Sequence, residues 1–114
     1  MKVTVQNGSN HALSREIVER VLADIPTAWK HRVDDVLIGA KTTPDPKVIF
    51  HEKGRSVSVY GPLGKDVAAC LEEMLTALSI ISERGDLPLR IGSSLRAEHA
   101  QSAKAVLTKA GWQP

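Results

Sequence analysis

The sequence predicts an α+β fold, with a mixed or antiparallel sheet of about three to five short strands and about three helices packed on one face of it. Three observations predict it. Short apolar or alternating runs at Val36–Ile38, Val48–Phe50 and Ser56–Tyr60 follow one another with no helical pattern between them. Residues 65–84 form one long apolar stretch with a helical period and a glycine stop. Shorter helical patterns flank these elements toward both ends of the chain.

Taken in order, Val3 and Val5 alternate with Lys2, Thr4 and Gln6, the period of a half-buried strand. Asn7-Gly8-Ser9-Asn10 is a turn cluster. A helix follows from Leu13 or Ser14 to Asp24, with Leu13, Ile17, Val21 and Leu22 on its apolar side and Arg15, Glu16, Glu19 and Arg20 toward water. Pro26 ends it or opens a new turn, in which Trp29 and Val33 fold back on the core. After the strand at Val36–Ile38, Pro44 and Pro46 stiffen a loop from Ala40 to Pro46. The next two strands flank Glu52-Lys53-Gly54-Arg55, a hairpin turn in which Gly54 is expected to take the positive φ. Val57 and Val59 point to one side, and Ser56, Ser58 and Tyr60 to the other.

Gly61-Pro62-Leu63-Gly64 breaks that strand before the long helix. Val67, Leu71, Met74, Leu78 and Ile81 make one seam of this helix. Cys70, Leu75 and Ala77 widen the seam, leaving Glu72, Glu73, Ser79, Ser82 and Glu83 as a narrow wet side. Asp66 is placed to cap the helix and Gly85 to stop it, with Pro88 beyond. Leu89-Arg90-Ile91 reads as a short edge strand. Ser93 or Ser94 is expected to cap a last helix to Ala110, with Leu95, His99, Ala103, Val106, Leu107 and Ala110 on one face.

Composition bounds the function. At 114 residues, the chain is expected to form a single domain, 1–114, with a core that needs no staples. A net charge of +2 lacks the concentrated basic footprint of a nucleic-acid binder. Arg15, Arg20, Lys30, Arg32 and Lys41 are interspersed with Glu16, Glu19, Asp34 and Asp35. Cys70 is the sole cysteine, which excludes an internal disulfide and a thiolate zinc knuckle. Its apolar neighbours make it a core thiol with a raised pKa. The first residues read as a strand and not as a signal peptide, and no apolar run is long enough to span a bilayer, so the expectation is a soluble, cytoplasmic protein with no membrane partner.

Candidate chemistry is sparse. His11, His31, His51 and His99 are far apart, and no two share the spacing that puts metal ligands on one helical face. His51-Glu52 is an adjacent histidine–carboxylate pair; with Tyr60, these are the first residues to suspect in a catalytic site. His99, on the apolar side of the last helix, is expected to be a core-edge histidine bonded to a backbone carbonyl. Gly61 to Lys65 precedes a helix, but its glycine spacing and the Asp66 that follows do not fit a phosphate loop. No cofactor and no metal are expected.

The stretch Arg55-Ser56-Val57-Ser58-Val59-Tyr60-Gly61-Pro62-Leu63, the long helix after it and Gly85-Asp86-Leu87-Pro88 resemble the small bacterial zincin-like metallopeptidase domains. Val21-Leu22-Ala23-Asp24-Ile25-Pro26 is similar to the end of their leading helix, so the likeness covers residues 14–88. It implies a leading helix, a mixed sheet and a long helix that would carry zinc through His-Glu-x-x-His. Here that helix reads Cys70-Leu71-Glu72-Glu73-Met74-Leu75-Thr76-Ala77-Leu78-Ser79, so no zinc ligand is carried over. Leu89-Arg90-Ile91-Gly92-Ser93 with the last helix and Ala110-Gly111-Trp112 is similar to one strand–helix half of the peptidoglycan-binding SPOR domain.

The reading that results is a small non-catalytic binding or interaction domain whose partner is a protein or a second copy of itself. One alternative is a hydrolase-like enzyme with a site gathered from dispersed His and Glu residues. The other is a nucleic-acid-binding accessory protein that uses the basic residues between Arg15 and Lys41.

Overall fold

The computed structural model describes residues 1–6, 13–39, 43–61 and 66–112. The turn cluster at 7–10, His11 and the break at 62–64 therefore lie outside the described residues, as does the start of the proline loop. The elements are β1 (Lys2–Val5), α1 (Arg15–Leu22), a 3-10 turn (Thr27–Lys30), β2 (Asp35–Ile38), β3 (Lys47–His51), β4 (Ser56–Tyr60), α2 (Val67–Arg84) and α3 (Ser93–Lys109).

The strands form one mixed sheet in the order β1-β2-β4-β3. β1 runs parallel to β2 and β2 parallel to β4, while β3 pairs antiparallel with β4 as the hairpin pattern requires. The register lines the alternating residues into rows. Val3, Val36, Val57 and Phe50 are cross-strand neighbours, as are Val5, Ile38, Val59 and Val48. Val3, Val36, Ile38, Val57 and Val59 are buried, so this is the core face, and Val48 and Phe50 pack against the same core. The opposite face carries the row Thr4, Leu37, Ser58 and Ile49.

Three layers result. α2 lies on the core face and α3 packs chiefly on α2, so α2 is the middle layer. Its apolar girth therefore exceeds the predicted seam: Thr76, Ser79 and Ile80 are buried together with Cys70, Leu71, Met74, Leu75, Ala77, Leu78 and Ile81. Ser79 is thus not on the wet side; it faces the outer helix. Asp66 caps α2, its carboxylate accepting the Ala69 N–H at 3.2 Å, and Gly85 ends it at φ 78°. A Cβ at Gly85 would meet the Arg32 guanidinium at 2.9 Å, which places that cation at the negative end of the helix.

α1 starts at Ser14, whose hydroxyl accepts the Ile17 N–H at 3.3 Å, and it buries Val18, Val21 and Leu22, with Ile17 half-buried. Val18 adds to the predicted apolar face. Trp29 and Val33 are core residues, as their spacing implied.

Three local expectations are corrected. The positive φ of the hairpin turn belongs to Arg55 (51°), not to Gly54. Left-handed backbone costs a non-glycine residue roughly 1–2 kcal/mol. Contacts offset this cost: the Arg55 carbonyl accepts the N–H of Asp34 at 2.6 Å and of Asp35 at 3.3 Å. Its guanidinium donates to the Asp34 carboxylate at 2.8 Å and to the His31 carbonyl. This hydrogen bond and the cation beside it hold the Asp34 carboxyl below its ordinary value. Second, Leu89-Arg90-Ile91 is not a strand, because the short link from α2 to α3 turns there. Third, Gly92 occupies the cap position of α3 without a side-chain bond, and Ser93 and Ser94 sit inside its first turn.

One connected cluster of buried residues joins sheet and helices. The radius of gyration, 12.7 Å, is close to the ~13 Å of one folded unit of this length. No helix among the described residues is long and apolar enough to cross a membrane. Leu71 and Leu78 are fully buried in the middle layer. Replacing either with Ala is expected to cost about 2–5 kcal/mol in a denaturant titration. Leu89→Ala, at a fully exposed position, should leave the midpoint unchanged.

Candidate functional site

Two surfaces stand out once the layers are in place. The first is the outer edge of β3. Among the described residues no strand pairs with that side, so its outward N–H and C=O groups are available. Alongside it runs a groove of about 280 Å³, walled by β3, by Glu73 and Ala77 of α2, and by the Leu87–Leu89 link with Ile91 and Arg96. Ile49 is 37% exposed and Leu89 fully so, an apolar pair at one edge of a small molecule. Glu73 is half-buried, and burial pushes its carboxyl above the ordinary carboxylate range. The Arg96 guanidinium, in direct ion pair with it, opposes that shift, and neighbouring Glu72 adds to it.

The second surface is a cleft of about 740 Å³ between the Asp24–Trp29 segment, the second half of α2 and α3. Ser79, Ser82 and Glu83 line it from one helix, and Glu98, His99, Ser102 and Lys109 from the other. His99 is buried. Its Nδ1 lies 2.7 Å from Ser79 Oγ, and its Nε2 lies 3.1 Å from Glu83 Oε2. The second contact is close but off the N–H axis, so Nε2 has no hydrogen bond. The order serine, histidine, carboxylate is that of a nucleophile relay. Ser79, however, sits in mid-helix, where the neighbouring N–H groups are committed to carbonyls one turn back. They cannot serve as donors to a developing oxyanion. What the arrangement does provide is a buried polar clasp between the middle and outer helices.

The residues singled out by sequence are spread over the fold. His51 is at the exposed end of β3, with Nε2 2.9 Å from Ser58 Oγ. Glu52 is exposed in the adjoining turn. Tyr60 is at the other end of the β3–β4 ladder, opposite Lys47, with its ring over Gly39. The structure therefore brings His51 and Glu52 to one end and leaves Tyr60 at the other. His31 is exposed beside Arg55, and His99 bonds a serine hydroxyl, not the backbone carbonyl expected. Among the described residues, no three His, Cys, Asp or Glu side chains gather as a metal site. Sequence reasoning missed the partnership of Ser79 and Glu83 with His99. The available signal was a serine set between Leu78 and Ile80 in the apolar second half of the helix. Cys70 is fully buried as expected, and burial, reinforced by Glu73 and Asp66, pushes its thiol up to about 12.

Comparison of the chain with family models, curated proteins and solved structures returns no match.

Ser79→Ala strands the buried Nδ1 of His99, with an expected loss of about 1–3 kcal/mol in thermal or chemical unfolding. His99→Leu in that background should recover part of the loss, because both polar partners are then gone. The Cys70 thiol should resist iodoacetamide at pH 8 in the folded protein and react at once in denaturant. Since it keeps its proton when folded and releases it near ~8.5 when unfolded, its contribution to stability is full below that pH and falls as pH rises.

Proposed function

We propose that this chain is a protein-interaction domain that takes an extended segment of its partner onto the free edge of β3. The observation that carries this reading is the coincidence of an unpaired strand edge with an apolar groove lined by Val48, Phe50, Ala77 and Leu87, with Ile49 and Leu89 exposed at its rim. Main-chain hydrogen bonds to an added strand supply affinity, and alternate side chains entering the adjacent groove supply selectivity. Most edge strands are blunted along their length by charge, proline or bulges. Here Pro46 and Lys47 stand at one end, while the middle of the edge is Val48, Ile49 and Phe50. On this reading the likeness to zincin-like domains is one of scaffold: α2 turns Glu73 and Ala77, and no histidine pair, toward the groove.

The test is selection of extended peptides from a random displayed library, followed by amide hydrogen exchange of the complex. Enriched peptides are expected to slow exchange in β3, and Ile49→Lys or Leu89→Lys, both at exposed positions, should weaken them at least tenfold. Enriched peptides that protect the α2–α3 cleft instead, or selection that enriches nothing, would refute this assignment.

A further inference from the structure

The chemistry of the partner segment follows from the charges around the groove, and the argument rests on the edge-binding reading above. The apolar stretch of β3 is bracketed by cations. Lys47 stands at the start of the strand, and Arg96 lines the same groove. At the other end Phe50 continues it into a second hollow lined by Arg32, Lys53 and Arg55. Against these five cations the two hollows carry two carboxylates, Glu73 and Glu52.

The bookkeeping of pairs sharpens the imbalance. Glu73 is committed to Arg96, and Arg55 is committed to Asp34. Arg32, Lys47 and Lys53 have no carboxylate within ion-pairing distance among the described residues, and neither does Arg90, exposed between Leu89 and Ile91. The five residues of β3 span about 17 Å, so these cations bracket the length of one short added strand.

We infer that the edge of β3 recognises an extended acidic peptide: a segment with apolar residues at alternating positions in its middle and Asp or Glu on both flanks. The same charges decide against a second copy of this chain. Antiparallel addition of β3 to its own copy would set Lys47 across from His51 and bring two cationic rims together, which is repulsive. Nucleic acid shares the negative charge. The centre of the groove is aliphatic apart from Phe50, however, and a strand edge offers alternating donors and acceptors that match a peptide backbone and not a phosphate chain.

Fluorescence anisotropy with three labelled peptides decides the matter. Each has the same alternating Val/Ile/Leu centre, flanked by Glu, by Gln or by Lys; a uridine oligonucleotide serves as fourth probe. The Glu-flanked peptide is expected to bind at least tenfold tighter than the Gln-flanked one at low salt. That margin should shrink as salt screens the rim. Lys47→Glu with Lys53→Glu, both exposed positions, should transfer the preference to the Lys-flanked peptide while the circular dichroism spectrum stays unchanged. Equal binding of the Glu and Gln peptides would overturn the acidic assignment and leave edge binding standing. Failure of all three peptides would overturn both. Preference for the oligonucleotide, or a dimer at the concentrations used, would overturn the peptide in favour of that occupant.

Discussion

The burial of α2 on two opposite sides is the constraint from which the rest of the architecture follows. One side must be apolar to cover the valine rows of the sheet, and the other must be apolar to receive α3. A helix of 18 residues meets both demands with little room for charge, and its remaining polar side chains are put to specific use. Asp66 caps the start, Ser79 engages His99, Glu73 engages Arg96, and Glu83 lies at the cleft mouth. Each stands where the middle layer meets a boundary.

The strands, the hairpin and the long helix were legible because each is written in a local pattern. Alternation fixed the faces of Val57, Val59 and Ser58, and Gly85 marked the helix end. The failures share a cause in long-range contact. Gly54 was the natural choice for positive φ, but Asp34 and His31, remote in sequence, fix Arg55 in that conformation. Ser79 looked like a wet residue because nothing in the periodicity of α2 reveals a third layer. Its meeting with His99 depends on the register of two helices, which neither helix encodes alone. Of the two candidate surfaces, the β3 edge was half-visible as an apolar run beside a turn. The charges that frame it come from four separate segments of chain.

The two surfaces divide the molecule by chemistry. The cleft between α2 and α3 has its most reactive-looking groups engaged with one another, and their geometry favours cohesion over turnover. The groove at β3 presents unpaired backbone, exposed aliphatic side chains and unneutralised cations. The Ser79–His99 hydrogen bond ties the two helices together; groups left unpaired at an exposed rim are the ones available to a visitor.

The layered order also bears on how the chain is made. β1 through α2 precede α3, so during synthesis the middle layer is made before its outer cover. Until then the side of α2 that awaits Ala103, Val106 and Leu107 is open to water, with Ser79 facing solvent as a temporary polar spot on an apolar wall. The wall that α3 conceals in the finished fold is thus apolar surface until α3 is in place. His99, the residue that closes the clasp, comes after the whole of α2 in the chain.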